Sequence, residues 1–166
     1  MPTPLTPLRE RLPRGPQRQK GANRRETTAS RLRRAYRLLR ARFGHQHWWP
    51  GDTAFEVCVG AILTQNTSWT NVERALVQLK KAGVFDPHAL WDLPEDALAQ
   101  LLRPAGYYNV KARRLRAFLA VLVRQHGGRV ASLLQGATDA ARDRLLSIPG
   151  IGPETADSML LYAGGH

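Results

Sequence analysis

From Thr27 to the C-terminus, apolar residues recur every three or four positions, and this spacing constrains the fold more than any other feature. The clearest case is the segment 109–125, where Leu115, Phe118 and Leu122 fall on one helical face. No run of alternating apolar and polar residues indicates a β-strand. We therefore predict an all-α fold, in which helices joined by short loops bury their apolar stripes on one another.

Capping residues and glycine or proline breaks divide this pattern into separate helices. Asp86-Pro87 and Leu93-Pro94 are each predicted to be a cap followed by proline at the first helical position, and Thr138 is predicted to cap a later helix. The predicted helices begin near residues 27–30, 52–53, 67–68, 87, 94, 109, 138 and 153, and they end near residues 44, 64, 83, 92, 102, 125, 146 and 163.

The positive charge is concentrated at the N-terminus. The formal net charge is +12, and residues 1–43 contain 13 Lys and Arg but 2 acidic residues. Because residues 1–27 are also rich in proline and poor in large apolar side chains, we predict a disordered basic arm there. Two interpretations stay open: a solvated tail, which a misassigned start codon would also produce, or an arm that adds salt-dependent affinity for phosphates.

Composition excludes several classes of protein. No apolar run approaches the roughly 18 residues that cross a bilayer, and the 43% apolar content is ordinary for a globular protein. The one cysteine, Cys58, cannot form an internal disulfide or supply the thiolates of a metal cluster, so we expect no metal site or cofactor in this chain. With no signal peptide visible, we expect a monomeric cytoplasmic protein that does not contact membranes.

The stretch LLSIPGIGPETADSMLLY at residues 145–162 is the most informative motif. It predicts two helices that flank the tight turn PGIG, with Gly150 and Gly152 where side chains would not fit. The first N–H groups of the helix that Pro153 starts have no intrahelical partners. Such a turn fits a clamp for a nucleic-acid phosphate that reads no sequence. A tight helical corner without a ligand is the alternative.

This hairpin resembles the helix-hairpin-helix of the endonuclease III (HhH-GPD) superfamily of DNA glycosylases, in which the turn reads L-P-G-[VI]-G. The blocks AILTQNT at residues 61–67 and LRPAGYYNVKARRL at residues 102–115 match in the same order. The resemblance implies base-excision DNA repair and an endonuclease III-like six-helix barrel at residues 52–163. Residues 28–44 would then form one helix of a second helical domain that is incomplete here.

Four residues resemble the aromatic box of the 3-methyladenine DNA glycosylase branch: Trp48, Trp49 and Pro50 before the barrel, and Trp69 after TQNTS. In that branch the box surrounds an extruded alkylated purine, whose positive charge suits stacking and cation–π attraction. Attachment of these tryptophans to the core is the alternative. Glu154 occupies the position of the superfamily's Schiff-base lysine, and a carboxylate forms no iminium, so the resemblance implies a monofunctional N-glycosylase without lyase activity.

The resemblance also implies contacts with double-stranded DNA that carries a damaged base, and hence an association with the nucleoid. Gln65 is the candidate for filling the gap that the flipped base leaves, and an amide capping a helix end is its alternative. Asn109 and Lys111 either contact the DNA backbone or brace their loop, and bracing is favoured for Asn109. The residues expected to contact DNA are Gln65, Asn109, Lys111, Pro149, Gly150, Ile151, Gly152 and Thr155.

The superfamily's catalytic aspartate lies in a V-D-x-[YH] segment after the second hairpin helix, and this sequence ends at His166. Asp157 lies inside that helix and is not expected to replace it. We therefore expect an enzyme by family whose catalytic residue is absent from a C-terminally truncated chain. An iron–sulfur cluster would be possible only in a C-terminal extension. The alternatives are a non-catalytic DNA-binding fragment, an endonuclease III-like glycosylase for another damaged or mismatched base, and a basic RNA-associated protein.

Overall fold

The structure is a computed structural model that describes residues 27–44 and 49–166. All regular structure in these two ranges is helical, which confirms the all-α prediction. The predicted basic arm, apart from Thr27, lies outside the described residues, and so does Trp48. The chain divides into two compact units, residues 1–46 and residues 47–166. No helix in the described ranges is long and apolar enough to cross a membrane.

The first unit contains helix α1, Thr28–Phe43. Thr27 caps its N-terminus, with the side-chain oxygen accepting a hydrogen bond from the Ser30 N–H at 3.2 Å. Gly44 ends it with a φ of 72°, in the region that favours glycine. Both ends therefore agree with the sequence pattern, and no residue of α1 is buried.

The second unit contains the remaining helices of the described chain, connected by short loops. Thr53 and Asp86 cap two of them through their side-chain oxygens. In chain order they are α2, Ala54–Leu63; α3, Trp69–Lys81; α4, Pro87–Asp92; α5, Glu95–Leu101; a 3-10 turn, Arg103–Ala105; α6, Tyr108–His126; α7, Val130–Leu134; α8, Thr138–Leu146; α9, Pro153–Met159; and a π-helical turn, Leu160–Gly164.

Helix α2 lies at the centre of this unit. Eight of its ten residues are buried, and it contacts α3, α6, α7, α9 and the π-helical turn. Helix α6 packs against α4 and α5, and its predicted inward residues Leu115, Phe118, Leu119 and Leu122 are fully buried. Each such side chain stabilises the fold by about 1.5–3 kcal/mol. The two helices therefore hold the turn at residues 64–66 that follows α2 (the α2 turn), the loop before α6 and the hairpin in fixed positions.

Two local predictions are wrong, and one short helix is missing from the predicted set. Pro94 has a ψ of 145° and occupies the N-cap, so that helix begins at Glu95. Thr138 is the first residue of α8, because Ala137 is the extended residue before it. Helix α7 was not predicted, since five residues are too few to establish a 3.6-residue repeat.

Candidate nucleic-acid interface

The hairpin turn is attached to the core by its isoleucines. Ile148 and Ile151 are 1% and 5% exposed, and the Ile151 N–H donates to the Ile148 carbonyl at 3.0 Å. Pro149 and Gly152 face outward and are exposed. Because the buried side chains fix the turn, its glycine backbone is presented to the surface.

The two hairpin glycines have different surroundings. Gly150 has a φ of 89°, and a Cβ there would overlap Cγ of Arg114 and lie 2.9 Å from its Cδ. Gly152 has a φ of −92°, and a Cβ there would meet nothing within 4 Å. The prediction that side chains fit at neither glycine is therefore wrong for Gly152, whose surroundings within the protein leave space open.

The side chain of Gln65 lies against the hairpin. Its Nε2 donates to the Gly150 carbonyl at 3.1 Å and to Oγ1 of Thr155 at 3.0 Å. Its Oε1 accepts a hydrogen bond from Nη1 of Arg114. Thr155 is buried, so its hydroxyl contacts Gln65 rather than the surface. The amide thus joins the α2 turn, the hairpin and α6, whereas the capping role considered for it involves a helix end alone.

These groups line an open cavity of about 820 Å³, which we call the hairpin groove. Its walls are the turn 64–66, Arg114, the hairpin segment 150–155, Ser158, Ala61 and Trp49. Among the described residues, no carboxylate lies within ion-pair distance of Arg114. The groove therefore combines hairpin backbone with a guanidinium that forms no ion pair with a described carboxylate.

Asn109 and Lys111 begin α6 and have different environments. Asn109 is exposed, whereas Lys111 is 1% exposed and its Nζ donates to the Ala105 carbonyl at 2.6 Å. Burial, and secondarily the charge of Arg114, lowers the pKa of Lys111 to about 8. The geometry favours the bracing role for Lys111, while Asn109 is placed where it could contact a ligand.

The hairpin's acidic residues occupy different sites. Glu154 is exposed and lines the hairpin groove. Asp157 faces α8, where its Oδ1 lies 2.6 Å from Nε of Arg142, and this ion pair holds the pKa of Asp157 below its usual range. Asp157 therefore links the two hairpin helices.

The predicted aromatic residues are only partly brought together. Trp49 and Trp69 meet edge to face, with ring centroids 5.5 Å apart. Tyr162, which the sequence did not single out, stacks on Trp49 at 5.3 Å and 26°. One face of Trp49 is thus already covered by Tyr162, so only the rest of this ring is available to a base that the aromatic box would surround.

Trp49, Pro50 and Trp69 line a second cavity, of about 410 Å³, which we call the aromatic cavity. The charged residues that line it are Asp52, Glu56, Glu73 and Lys80. Nζ of Lys80 lies 2.7 Å from Glu56 and 3.4 Å from Asp52, and Glu73 accepts a hydrogen bond from the Trp69 indole at 2.8 Å. The lining therefore holds three carboxylates and one ammonium, a negative balance in a chain of +12 charge.

Gly60 provides the space for this aromatic arrangement. A Cβ on this mid-helix residue would lie 3.1 Å from Cη2 of Trp69 and 3.5 Å from Nε1 of Trp49. That indole N–H is buried without a hydrogen-bond partner in the described structure. A glycine inside an apolar helical stretch is a sequence signal for such close approach, and it could have been recognised before the structure.

Arg114 could not have been identified from the sequence in this way. It contacts Gln65, 49 positions away, and it is one of several arginines in the block at residues 102–115. Tyr162 likewise belongs to a helical repeat that marks it only as a packing residue. Both contacts arise from the tertiary fold.

The chain's single cysteine does not fit an iron–sulfur cluster, which takes about four thiolate ligands. Cys58 is fully buried in α2, and burial raises the pKa of its thiol to about 12. It is therefore an apolar core residue, and a cluster would require cysteines that this sequence does not contain.

An all-helical unit with a glycine hairpin facing a groove defines the class of helix-hairpin-helix DNA repair folds. Residues 59–156 match the family described as HhH-GPD superfamily base excision DNA repair protein, and the chain belongs to this superfamily. The assignment made from the hairpin and the two preceding blocks is thereby confirmed.

The sequence relatives include DNA glycosylases. MJ1434 of Methanocaldococcus jannaschii, a protein assigned to the DNA repair glycosylases, is 48% identical over 77% of this chain and 59% of its own length. Endonuclease III of Thermotoga maritima is 32% identical over 64% of this chain and 46% of its own length. The chain thus spans about half to three-fifths of the length of these relatives.

Solved structures support the endonuclease III-like fold. The H. pylori 3-methyladenine DNA glycosylase MagIII, bound to 1,N6-ethenoadenine, matches with a TM-score of 0.68 and 31% identity over 82% of this chain and 63% of that one. A trapped endonuclease III–DNA covalent intermediate matches with a TM-score of 0.67 and 24% identity over 84% and 62%. The second likeness shows the fold alone.

Proposed function

We propose that this chain supplies the DNA-binding and base-selecting part of a monofunctional DNA N-glycosylase for alkylated purines. The hairpin groove binds the phosphate backbone of double-stranded DNA, and the extruded base enters the aromatic cavity. The two cavities share Trp49, so a nucleotide held by its phosphate at the first lies beside the second.

The observation that carries this proposal is the charge of the aromatic cavity. Asp52, Glu56 and Glu73 outnumber Lys80 around the tryptophan rings. A phosphate is repelled by such a lining, whereas a base is accommodated by stacking. Purine nucleotides methylated at N3 or N7 carry positive charge, which both the carboxylates and the face of Trp69 attract. A cationic alkylated purine therefore binds this cavity more favourably than a neutral base does.

The hairpin supports a contact with DNA that is independent of sequence. Gly152 caps α9 without a side-chain hydrogen bond, and Pro153 has no N–H, so no side chain of the turn competes for the next N–H groups. A phosphate oxygen can accept from those groups and from the guanidinium of Arg114. Contacts of this kind fix the register of the DNA and leave the choice of base to another site.

Two side chains complete the proposed assignment. Gln65 projects from the α2 turn into the hairpin groove, from where its amide can fill the gap left by an extruded base. Glu154 lies in the same groove where an amine would be needed to attack sugar C1′. Base release without strand cleavage is the reaction type that fits a carboxylate at this position.

The relatives support this choice of substrate. MagIII, a 3-methyladenine glycosylase, was solved with a modified adenine and is 31% identical to this chain. Hydrolysis of an N-glycosidic bond also requires a carboxylate near the sugar. DNA binding and base selection precede this hydrolysis, so both can be measured separately from base release.

Equilibrium binding to matched duplexes tests the proposal. The duplexes carry, at one position, adenine, 1,N6-ethenoadenine, 7-methylguanine, thymine glycol or a thymine mispaired with guanine. We expect tighter binding to both alkylated purines than to adenine, with 7-methylguanine bound most tightly. Incubation with methylated DNA and sodium borohydride should yield no trapped covalent complex. Preferential binding of thymine glycol or the mismatch would overturn the substrate assignment, and a trapped complex would overturn the monofunctional one.

A further inference from the structure

The amide of Gln65 is fully engaged in the free protein. Both of its functional atoms are hydrogen-bonded, Nε2 to Gly150 and Thr155, and Oε1 to Arg114. An amide that inserts into a duplex must leave these partners. Release of the Gln65 amide is therefore controlled by whichever of these hydrogen bonds a bound DNA can replace.

Arg114 is that contact, because its position depends on the hairpin. Its aliphatic stem covers Gly150, while Nη1 reaches across the hairpin groove to Gln65. The acceptor is a neutral amide oxygen, although an arginine forms stronger and often bidentate hydrogen bonds with phosphate. Gly150 and Thr155 offer Gln65 no comparable exchange, since their contacts use uncharged oxygens within the protein.

We infer that Arg114 is a positioning residue that couples phosphate binding at the hairpin to the release of Gln65. This inference rests on the proposed function. A DNA phosphate entering the hairpin groove takes the guanidinium from Oε1 of Gln65. The amide then keeps only its two neutral contacts and is free to enter the duplex where the backbone is already held.

The electrostatics favour this exchange. The buried ammonium of Lys111 lies close enough to Arg114 for their repulsion to lower the pKa of the lysine, to about 8 together with burial. No described carboxylate pairs with Arg114. A phosphate beside Arg114 therefore reduces the repulsion between Arg114 and Lys111. Another neutral acceptor in place of the Gln65 oxygen would not reduce it.

A double-mutant cycle between Arg114 and Gln65 tests the coupling. Affinity for a duplex with a tetrahydrofuran abasic site is measured for the full 166-residue chain, for Arg114→Met, for Gln65→Ala and for the pair. Arg114→Met keeps most of the stem that covers Gly150 and removes the guanidinium. Arg113→Met removes a charge from the neighbouring, exposed position of α6 and serves as the matched control.

We expect Arg114→Met to weaken DNA binding less when Gln65 is present than when it is replaced by alanine. In the Gln65→Ala background, Arg114→Met should weaken binding roughly tenfold, because only a phosphate contact is lost. With Gln65 present, the loss should be roughly threefold, since the variant no longer has to break the Gln65–Arg114 contact. Arg114→Met should also reduce the salt slope of binding by about one in both backgrounds.

A second variant separates positioning from simple support of the fold. Arg114→citrulline keeps the length and the terminal N–H donor of the arginine side chain but carries no charge, so it keeps the contact with Gln65 and loses the charged contact with phosphate. With Gln65 present it should bind more weakly than Arg114→Met, whereas in the Gln65→Ala background the two should be equal. A purely structural role would lower the melting temperature without this ordering.

Multiplicative effects of Arg114→Met and Gln65→Ala, or a salt slope unchanged by Arg114→Met, would overturn the inference while leaving the proposed function intact. So would a coupling equally large for Arg113→Met. Failure of the unmodified chain to bind either the abasic or the undamaged duplex would overturn the proposed function as well.

Discussion

The hairpin groove and the aromatic cavity are neighbours that share Trp49, but they are built from opposite chemistry. The groove presents glycine backbone, the Gln65 amide, the guanidinium of Arg114, which has no described ion-pair partner, and the one carboxylate of Glu154. The aromatic cavity presents ring faces and carries more carboxylates than ammonium groups. Backbone donors and a guanidinium suit a phosphate, whereas rings and carboxylates suit a cationic base. We therefore expect the hairpin groove to set the affinity for DNA and the aromatic cavity to set the choice of base.

The two sites also differ in how the fold supports them. The groove is formed where the α2 turn, the hairpin and α6 meet through side-chain hydrogen bonds. The aromatic cavity depends on shape, since Gly60 leaves room for Trp69 and Trp49, and Tyr162 stacks on Trp49. A substitution can therefore alter one site without rebuilding the other, and this separation can be tested.

Gly152→Val should produce the largest change, a loss of affinity of roughly tenfold or more for undamaged and damaged duplexes alike. A Cβ at this residue meets nothing within 4 Å in the protein, so we expect the new side chain to obstruct a bound ligand and not the fold. Thermal unfolding should remain close to that of the unmodified chain. Ala140→Val, which adds the same side chain at an exposed position of α8, is the control and should bind DNA normally. Unchanged affinity in Gly152→Val would refute the phosphate clamp.

Trp69→Leu should reduce the preference for an alkylated purine over adenine by about tenfold, because stacking on one aromatic ring is lost. Leucine keeps part of the apolar contact with α2. Trp91→Leu replaces another half-buried tryptophan, which contacts Arg116 and Arg124, and should leave the preference unaltered. Competition binding with paired duplexes measures both. An equal loss in the two variants would show that stability, and not the cavity, sets the preference.

Glu73→Gln should change the preference by about two- to fivefold, and only for a charged base. Glutamine still offers an oxygen to the Trp69 indole, so the ring remains oriented. Affinity for 7-methylguanine duplexes should fall, whereas affinity for neutral 1,N6-ethenoadenine should persist. If both fell together, the carboxylate would act through the shape of the cavity.

Lys111→Met should alter stability with pH and leave DNA selection unchanged. The native pKa of Lys111 is lowered to about 8, so between that value and about 10.5 the unfolded chain binds more protons. Stability relative to the Met variant should thus rise with pH, by on the order of 1 kcal/mol between pH 7 and 9.5. Urea unfolding at several pH values measures this difference in the free energy of unfolding. The contribution of Cys58 to the pH dependence cancels, because both proteins contain this residue. If the stabilities of the unmodified chain and of Lys111→Met changed with pH in the same way, the ammonium of Lys111 would be solvent-exposed and not buried.

Much of the fold was predictable because it depends on local signals. The caps Thr27, Thr53 and Asp86 are side chains that satisfy N–H groups in their own helices, and Gly44 and Gly127 end helices with positive φ. Such features involve residues a few positions apart. Their recognition requires no knowledge of the tertiary structure.

The sites were predictable only in part. The hairpin stands out because its glycines and prolines interrupt the helical pattern, and Gln65 is identified through the resemblance of the block at residues 61–67 to the superfamily. The partner of Gln65 on α6 and the stacking of Tyr162 on Trp49 join distant segments, and the side chains involved have ordinary roles elsewhere. Burial of Lys111 was likewise hidden, because a lysine is normally exposed and the carbonyl of Ala105 that it contacts has no sequence signature.

The most direct test of two separate sites is the energetic coupling between Gly152→Val and Trp69→Leu. Binding to adenine and 1,N6-ethenoadenine duplexes is measured for the unmodified chain, each variant and the pair. Separate sites predict that Gly152→Val weakens both complexes by the same factor, that Trp69→Leu lowers only their ratio, and that the effects multiply in the pair. A ratio altered by Gly152→Val, or a pair that departs severalfold from the product, would contradict the division between phosphate binding and base choice.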